Sequence, residues 1–323
     1  MELKRNGSQP SARGPAEKGK QSMTTQNIPT VTLNNGRKIP QLGFGTLNVP
    51  PDRDPTPANT AKTAEIVGLA LQRGYRHIDT AQMYGNECGV GRAIAEAGIP
   101  REELWITSKL GNGNHRPDDV HRSFDETLDK LGLDYLDLFL IHWPLPTLSE
   151  VDYVSTWRAV TELLAGGRLR SAGVSNFQPD HLDRIVRETG LVPVVNQIEV
   201  HPYFRNDSVR DATRRNGIAI EAWSPLGQGH IVNDAVIAKI ATAHAKTVAQ
   251  VILRWHIQNG HIVFPKSMHQ ERMEENLAIF DFQLSNGELA AIGALDKGES
   301  GRIGPNPSTF AWIPSKSMPA PVS

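Results

Sequence analysis

LDLFLIH, residues 136–142, is the stretch on which the fold turns. From Leu138 to Ile141 it is apolar without alternation. A strand with one wet face would alternate. A short continuous apolar run suits a strand buried on both faces, the habit of parallel sheets. What lies on either side agrees. Upstream, PDDVHRSFDETLDKLG (117–132) sets Val120, Phe124, Leu128 and Leu131 at helical spacing behind Pro117 and Asp118. Downstream, YVSTWRAVTELLAGG (153–167) reads as a helix ending in a glycine pair, a C-cap signal.

The same beat continues in both directions. The other strands read IPQLGFGT (39–46), YRHIDT (75–80), LWITSKL (104–110), SAGVSN (171–176), VVNQIEV (194–200), IAIEAWS (218–224) and HIVFPK (261–266). Between them lie TAEIVGLALQRG (63–74), with Ile66, Ala70 and Leu71 on one face, QPDHLDRIVRETG (178–190) and DSVRDATRRNG (207–217). Two helices are expected across 233–259, and others at 269–279 and 288–295, so two helices exceed the repeat. Eight such units favour an α/β closed (β/α)8 TIM barrel over an open doubly wound sheet. An Asn-Gly pair between TVTL and KIPQ marks an N-terminal β-hairpin, expected to close the barrel floor.

Bulk properties narrow the function. The chain has 323 residues, 34 Lys+Arg against 35 Asp+Glu, and one cysteine. Balanced charge argues against a nucleic-acid or membrane-surface partner, and no apolar run approaches the roughly 18 residues of a membrane span. A lone cysteine permits no internal disulfide, which fits a reducing cytoplasm. Cys88 itself reads as a small, partly buried thiol rather than a nucleophile, since no base stands beside it. Residues 1–28 are polar and read as a disordered extension, 29–315 as a single barrel domain, and 316–323 as a loose tail.

In such a barrel, chemistry belongs at the carboxyl ends of the strands. There the sequence places an acid, Asp79, with a phenol, Tyr84, just beyond it. The next strand carries an amine, Lys109, inside an apolar run, and the next ends at an imidazole, His142. An ammonium near Tyr84 would lower its pKa and make it a better acid. Asp79 would orient Lys109, and His142 would hydrogen-bond the oxygen that gains the proton. This set suits protonation of a carbonyl oxygen, without a metal-ligand cluster. Lys109 as a Schiff-base former, in a hydrolase or aldolase, is a further reading.

HIDTAQMYGNE, TSKL, LFLIHWP, GVSNF, NQIEVHP and PKSMHQERMEEN together resemble the aldo-keto reductases, most of all the bacterial branch that includes 2,5-diketo-D-gluconate reductases. The resemblance spans about residues 29–315. It implies a catalytic tetrad of Asp79, Tyr84, Lys109 and His142, and NADPH-dependent reduction of aldehydes or ketones by a cytoplasmic monomer. NADPH is expected in preference to NADH, with a small carbonyl substrate as the partner. A cofactor-binding regulatory barrel subunit is the alternative. GVGR (89–92) lies inside a helical pattern, so no Rossmann loop is expected.

The resemblance further assigns Ser175, Asn176 and Gln197 to the nicotinamide carboxamide and Trp223 to the ring. Gly45, Thr46 and Asp79 would lie beside the cofactor, with Ser224 and Leu226 on its pyrophosphate side. Lys266, Ser267 and Arg272 would hold the 2′-phosphate, and Glu275 and Asn276 the adenosine. Two cations at a helix start form an anion site on general grounds too. The substrate pocket would draw on Leu47, Tyr84, Gly111, His142, Trp143, Phe310 and Trp312. Two departures bear on specificity: Gly111 where many relatives carry Trp, expected to open the pocket wall or loosen its loop, and a long proline-rich loop at 48–60.

Overall fold

The computed structural model describes residues 28–150 and 152–314. The expected extension at 1–28, Ile28 apart, and the tail at 316–323 lie outside the described residues. β1 (Thr30–Thr32) and β2 (Lys38–Pro40) form an antiparallel hairpin with Val31 opposite Ile39. Gly36 closes its turn at φ 81°, a left-handed conformation that glycine adopts without strain.

Eight parallel strands follow: β3 (Phe44–Gly45), β4 (His77–Asp79), β5 (Trp105–Leu110), β6 (Leu138–Ile141), β7 (Ala172–Ser175), β8 (Val195–Glu199), β9 (Ala219–Trp223) and β10 (Ile262–Val263). They pair in sequence order, and a parallel bridge between Leu42 and Val263 joins last to first. Between the strands run α1 (Pro57–Gln72), α2 (Glu87–Glu96), α3 (Pro117–Leu131), α4 (Tyr153–Glu162), α5 (Pro179–Thr189), α6 (Asp207–Arg215) and α8 (Val248–Gln258), and α9 (Gln270–Leu277) follows β10. The two extra helices are α7 (Ala235–Ala243), which packs on α8, and α10 (Asn286–Gly293), which packs on α7.

The unbroken apolar run of β6 now has its cause. Leu138 and Leu140 join Trp105, Val195, Ile262 and Phe264 in one buried cluster, to which the hairpin contributes Leu33 and Ile39. Phe139 and Ile141 point the other way and pack under the helices, Phe139 edge-on to Phe124 at 5.2 Å between ring centres. Both faces are dry, so both alternate sets are apolar. The hairpin lies on the floor: Asn34 Nδ2 donates to the Pro193 carbonyl (2.9 Å) and Asn35 Nδ2 to Ser171 Oγ (3.0 Å), both just before strands begin.

Several boundaries move. Ile39 and Pro40 belong to the hairpin, and the first barrel strand shrinks to Phe44–Gly45. α1 starts at Pro57 rather than 63, because Thr56 caps it by accepting from the Asn59 N–H at 3.2 Å. The 48–60 loop therefore ends at Thr56. α4 stops at Glu162, before the expected glycine pair. β10 ends at Val263, leaving Lys266 beyond the strand. Cys88 is exposed on α2, not partly buried. The glycines around it serve packing: a Cβ at Gly89 would press on Thr63, and one at Gly91 would collide with the Leu131 carbonyl of α3.

Candidate active site

Asp79 closes β4, Lys109 lies within β5 one residue from its end, and His142 follows β6. Parallel pairing in register carries the three to one rim of the barrel. Tyr84 arrives on a single 3-10 turn, Gln82–Tyr84, whose following Gly85 is left-handed at φ 71°. The four converge. Lys109 Nζ, fully buried, donates to Asp79 Oδ1 at 2.6 Å, to the Thr80 carbonyl at 2.9 Å and to the Tyr84 hydroxyl at 3.3 Å. The Tyr84 and His142 rings meet edge-on at 5.7 Å.

The electrostatics differ from expectation at one point. Burial pushes the Tyr84 phenol above its ordinary value; the Lys109 ammonium pulls it down without prevailing, and Asp79 pushes it up again. A net lowering by Lys109 is therefore not what this environment gives. Burial also works against the Lys109 charge, but Asp79 and Tyr84 outweigh it and hold the amine above the usual lysine range. His142 is held well below the usual imidazole value by burial first, then by Lys109 and Arg53, and so is neutral. Among the described residues its side chain makes no hydrogen bond, and its Nδ1 is buried without a partner.

A second tier supports this one. Thr46 spends its N–H (3.0 Å) and its hydroxyl (2.9 Å) on the Asp79 carbonyl, and Gly45 pairs with Asp79 in the sheet. Asn176, left-handed at φ 65°, donates through Nδ2 to the His142 carbonyl (2.9 Å) and Ser175 Oγ (3.1 Å), and accepts from Trp223 Nε1 (2.9 Å). Gln197 Nε2 donates to Asp79 Oδ2 at 2.9 Å and to Glu221 Oε2 at 2.8 Å. Ser224 (φ 48°) starts the turn after β9, its carbonyl accepting from Gly227, and Leu226 packs on the core.

Farther round the rim, Lys266 and Arg272 are exposed and pair with no carboxylate among the described residues. Ser267 closes a local turn with His269, and the N-cap His269 leaves the first turn of α9 without a side-chain cap. Glu275 accepts from the Thr247 hydroxyl at 2.5 Å, bracing α9 against α8, and Asn276 is buried.

The C-terminal segment lies across the mouth. Glu199 accepts from the N–H groups of Ile303 (2.6 Å) and Gly304 (3.0 Å), and Gly304 abuts the Trp223 ring. Phe310 stands 4.3 Å from Trp143, ring centre to ring centre, and Asn112 Nδ2 donates to the Trp312 carbonyl at 2.8 Å. Leu47 is half-buried nearby in chain order. The space beside Gly111 is not open: a Cβ there would lie 3.2 Å from Gln82 Oε1 and 3.5 Å from Met83 Cγ, and its N–H binds Gln82 Oε1 at 2.7 Å.

Residues that sequence reasoning missed include Glu221 and Arg53. Glu221 is fully buried, and burial, then Asp79, push its carboxyl up to about 8. An acid in the middle of the apolar strand IAIEAWS was its one visible signal.

The pattern of the Aldo/keto reductase family matches residues 41–297, and the chain belongs to that family, an oxidoreductase by class. An aldo-keto reductase of Mycolicibacterium smegmatis is 48% identical over 282 residues, covering 87% of this chain and 98% of that one. Glyoxal reductase of Bacillus subtilis is 44% identical over 290 residues, 90% of this chain and 100% of the relative. A solved variant of Gox0644 in complex with NADPH superposes with a TM-score of 0.80 at 41% identity, covering 88% of this chain and 98% of that one.

Proposed function

We propose that this protein reduces aldehydes or ketones to alcohols with NADPH, Tyr84 supplying the proton. The observation that carries the reading is Lys109, whose one buried ammonium touches Asp79 Oδ1 at 2.6 Å and the Tyr84 hydroxyl at 3.3 Å. The cofactor, when bound, supplies the hydride that the carbonyl carbon accepts.

Tyr84 does the rest of the proton chemistry. Burial keeps its hydroxyl protonated at neutral pH, so it is loaded to donate to a carbonyl oxygen. As that oxygen gains charge, the phenol loses its proton, and the ammonium 3.3 Å away stabilises the phenolate that forms. The Lys109 charge thus acts in the transition state, where phenolate character develops, rather than by acidifying the resting phenol. Asp79 and the Thr80 carbonyl fix the ammonium. His142, neutral, offers a ring N–H to the same carbonyl oxygen. Phe310, Trp143 and Trp312 exclude water over the mouth.

The residues present suit the cofactor. The N–H groups of Gln197 and Asn176 and the Ser175 hydroxyl are spent within the protein, which leaves the side-chain amide oxygens of Gln197 and Asn176 to accept from a carboxamide, beside a half-exposed Trp223 ring. Lys266, Arg272 and the uncapped start of α9 suit a 2′-phosphate, so NADPH is favoured over NADH. The relatives named a glyoxal reductase and bound to NADPH support the same reading. A monomer in the cytoplasm completes it.

Steady-state NADPH oxidation with small aldehydes tests the proposal. Tyr84→Phe is expected to lower kcat by roughly 10²–10⁴-fold while NADPH still binds. The double change Lys266→Ala, Arg272→Ala is expected to raise the NADPH Kd and spare the NADH Kd. A Tyr84→Phe enzyme with undiminished kcat would end the assignment. A wild-type protein that binds NADPH but turns over no carbonyl would favour a regulatory subunit.

A further inference from the structure

One cation near the reacting groups has no task in this mechanism. Arg53 lies in the loop between β3 and α1, in PPDRDPT (50–56), and packs directly on the tyrosine turn: a Cβ at Gly85, the residue after Tyr84, would overlap the Arg53 carbonyl. The side chain is half-buried. Its Nε donates to Asn48 Oδ1 at 2.8 Å, and Asn48 is held left-handed at φ 58°. The two terminal guanidinium nitrogens have no hydrogen-bond partner and no carboxylate among the described residues. Its sequence neighbours do not neutralise it: Asp52 turns to accept from the Asp54 N–H at 3.1 Å and is exposed.

A guanidinium taken half out of water without an acid is costly unless an anion meets it. Its free pair of nitrogens forms a planar fork that matches a carboxylate. Its charge reaches the reacting groups. After burial and Lys109, Arg53 is among the causes that hold His142 neutral, and it also draws on the Tyr84 phenol.

We propose that Arg53 is a substrate-binding residue that selects carbonyl compounds carrying a carboxylate, which it grips by its free guanidinium edge while the carbonyl oxygen meets Tyr84 and His142. This rests on the carbonyl-reductase reading and names its substrate class. The preferred substrates are oxo-acids and aldehydes with a carboxylate within a few bonds of the carbonyl.

The test compares 4-oxobutanoate with its methyl ester, the same skeleton without the charge, in NADPH oxidation by the wild type, Arg53→Met and Arg53→Lys. The wild type is expected to prefer the acid. In Arg53→Met the acid-to-ester ratio of kcat/KM should fall on the order of ten- to a hundredfold, the worth of one charged hydrogen-bonded contact, through KM rather than kcat. Arg53→Lys should recover part of the ratio, and added salt should erode the acid's advantage in the wild type. An unchanged ratio in Arg53→Met overturns the proposal while leaving the reductase reading intact. So does a weakened NADPH Kd in that variant with equal losses on both substrates, which would place Arg53 on the cofactor. If the wild type reduces neither compound nor any other aldehyde, the reductase reading falls and this one with it.

Discussion

At the centre of the barrel a single amide, Gln197, stands between two carboxyl groups, giving one N–H to Asp79 and one to Glu221. Lys109 balances only one of them. Two anions so close in a dry interior would repel, and Glu221 responds by keeping its proton up to about pH 8. The unfolded chain loses that proton near the ordinary glutamate value of about 4.3. Between these limits the fold binds the extra proton, so Glu221 subtracts stability as pH rises across the window, and the loss is complete above it. Glu221→Gln, which cannot ionise, should gain Tm relative to wild type from pH 5 to pH 9. A Tm difference constant over that range would mean that the carboxyl is ionised in the fold. The meeting of Asp79, Lys109 and His142 at one rim was legible because each ends, nearly ends or directly follows a strand, and strand ends can be read from hydrophobic runs; Tyr84, on its 3-10 turn, was reached only as the phenol just beyond one of them. Glu221 was not: its meaning depends on Asp79, which lies far off in sequence and near only across the closed barrel. Arg53 was hidden likewise, since only the folded loop sets it against Gly85.

Helix positions were legible at the level of faces. Val120, Phe124, Leu128 and Leu131 are the buried stripe of α3, as their spacing required. Starts and stops were less so. Thr56-Pro57 is itself a helix-start signal, but the prolines around it read as loop. α2 shows what periodicity cannot supply, namely how near two helices come. Gly91 lets the α2 backbone approach the Leu131 carbonyl at the end of α3. Gly91→Ala should therefore force the pair apart and cost about 1–3 kcal/mol, seen as a Tm lowered by several degrees with NADPH affinity retained. An unchanged Tm would mean that the helices separate freely.

On the scale of the whole molecule, buried histidine sets the acid limit. Burial holds His77 at about 3, His115 at about 4 and His256 at about 3, and keeps His142 and His261 well below their ordinary value. Each is neutral when folded and takes up a proton on unfolding below about pH 6.5. Their stability is thus intact above that value and drains away as pH falls toward 4, several protons at once. Tm should drop steeply from pH 7 to pH 4.5, in the opposite sense to the Glu221 effect; a flat profile would show that these rings titrate freely.

Glu199 and Asn112 have a consequence of another kind. They fasten residues 303–312 over a barrel whose strands are all complete by Val263. The barrel strands and the cluster of Asp79, Tyr84, Lys109 and His142 are therefore synthesised before the segment that carries Phe310 and Trp312. A chain cleaved near residue 300 would keep every strand yet leave the Asp79–Tyr84–Lys109 cluster without the segment fastened over it, so under the proposed function trimming there should act on selectivity before it acts on integrity.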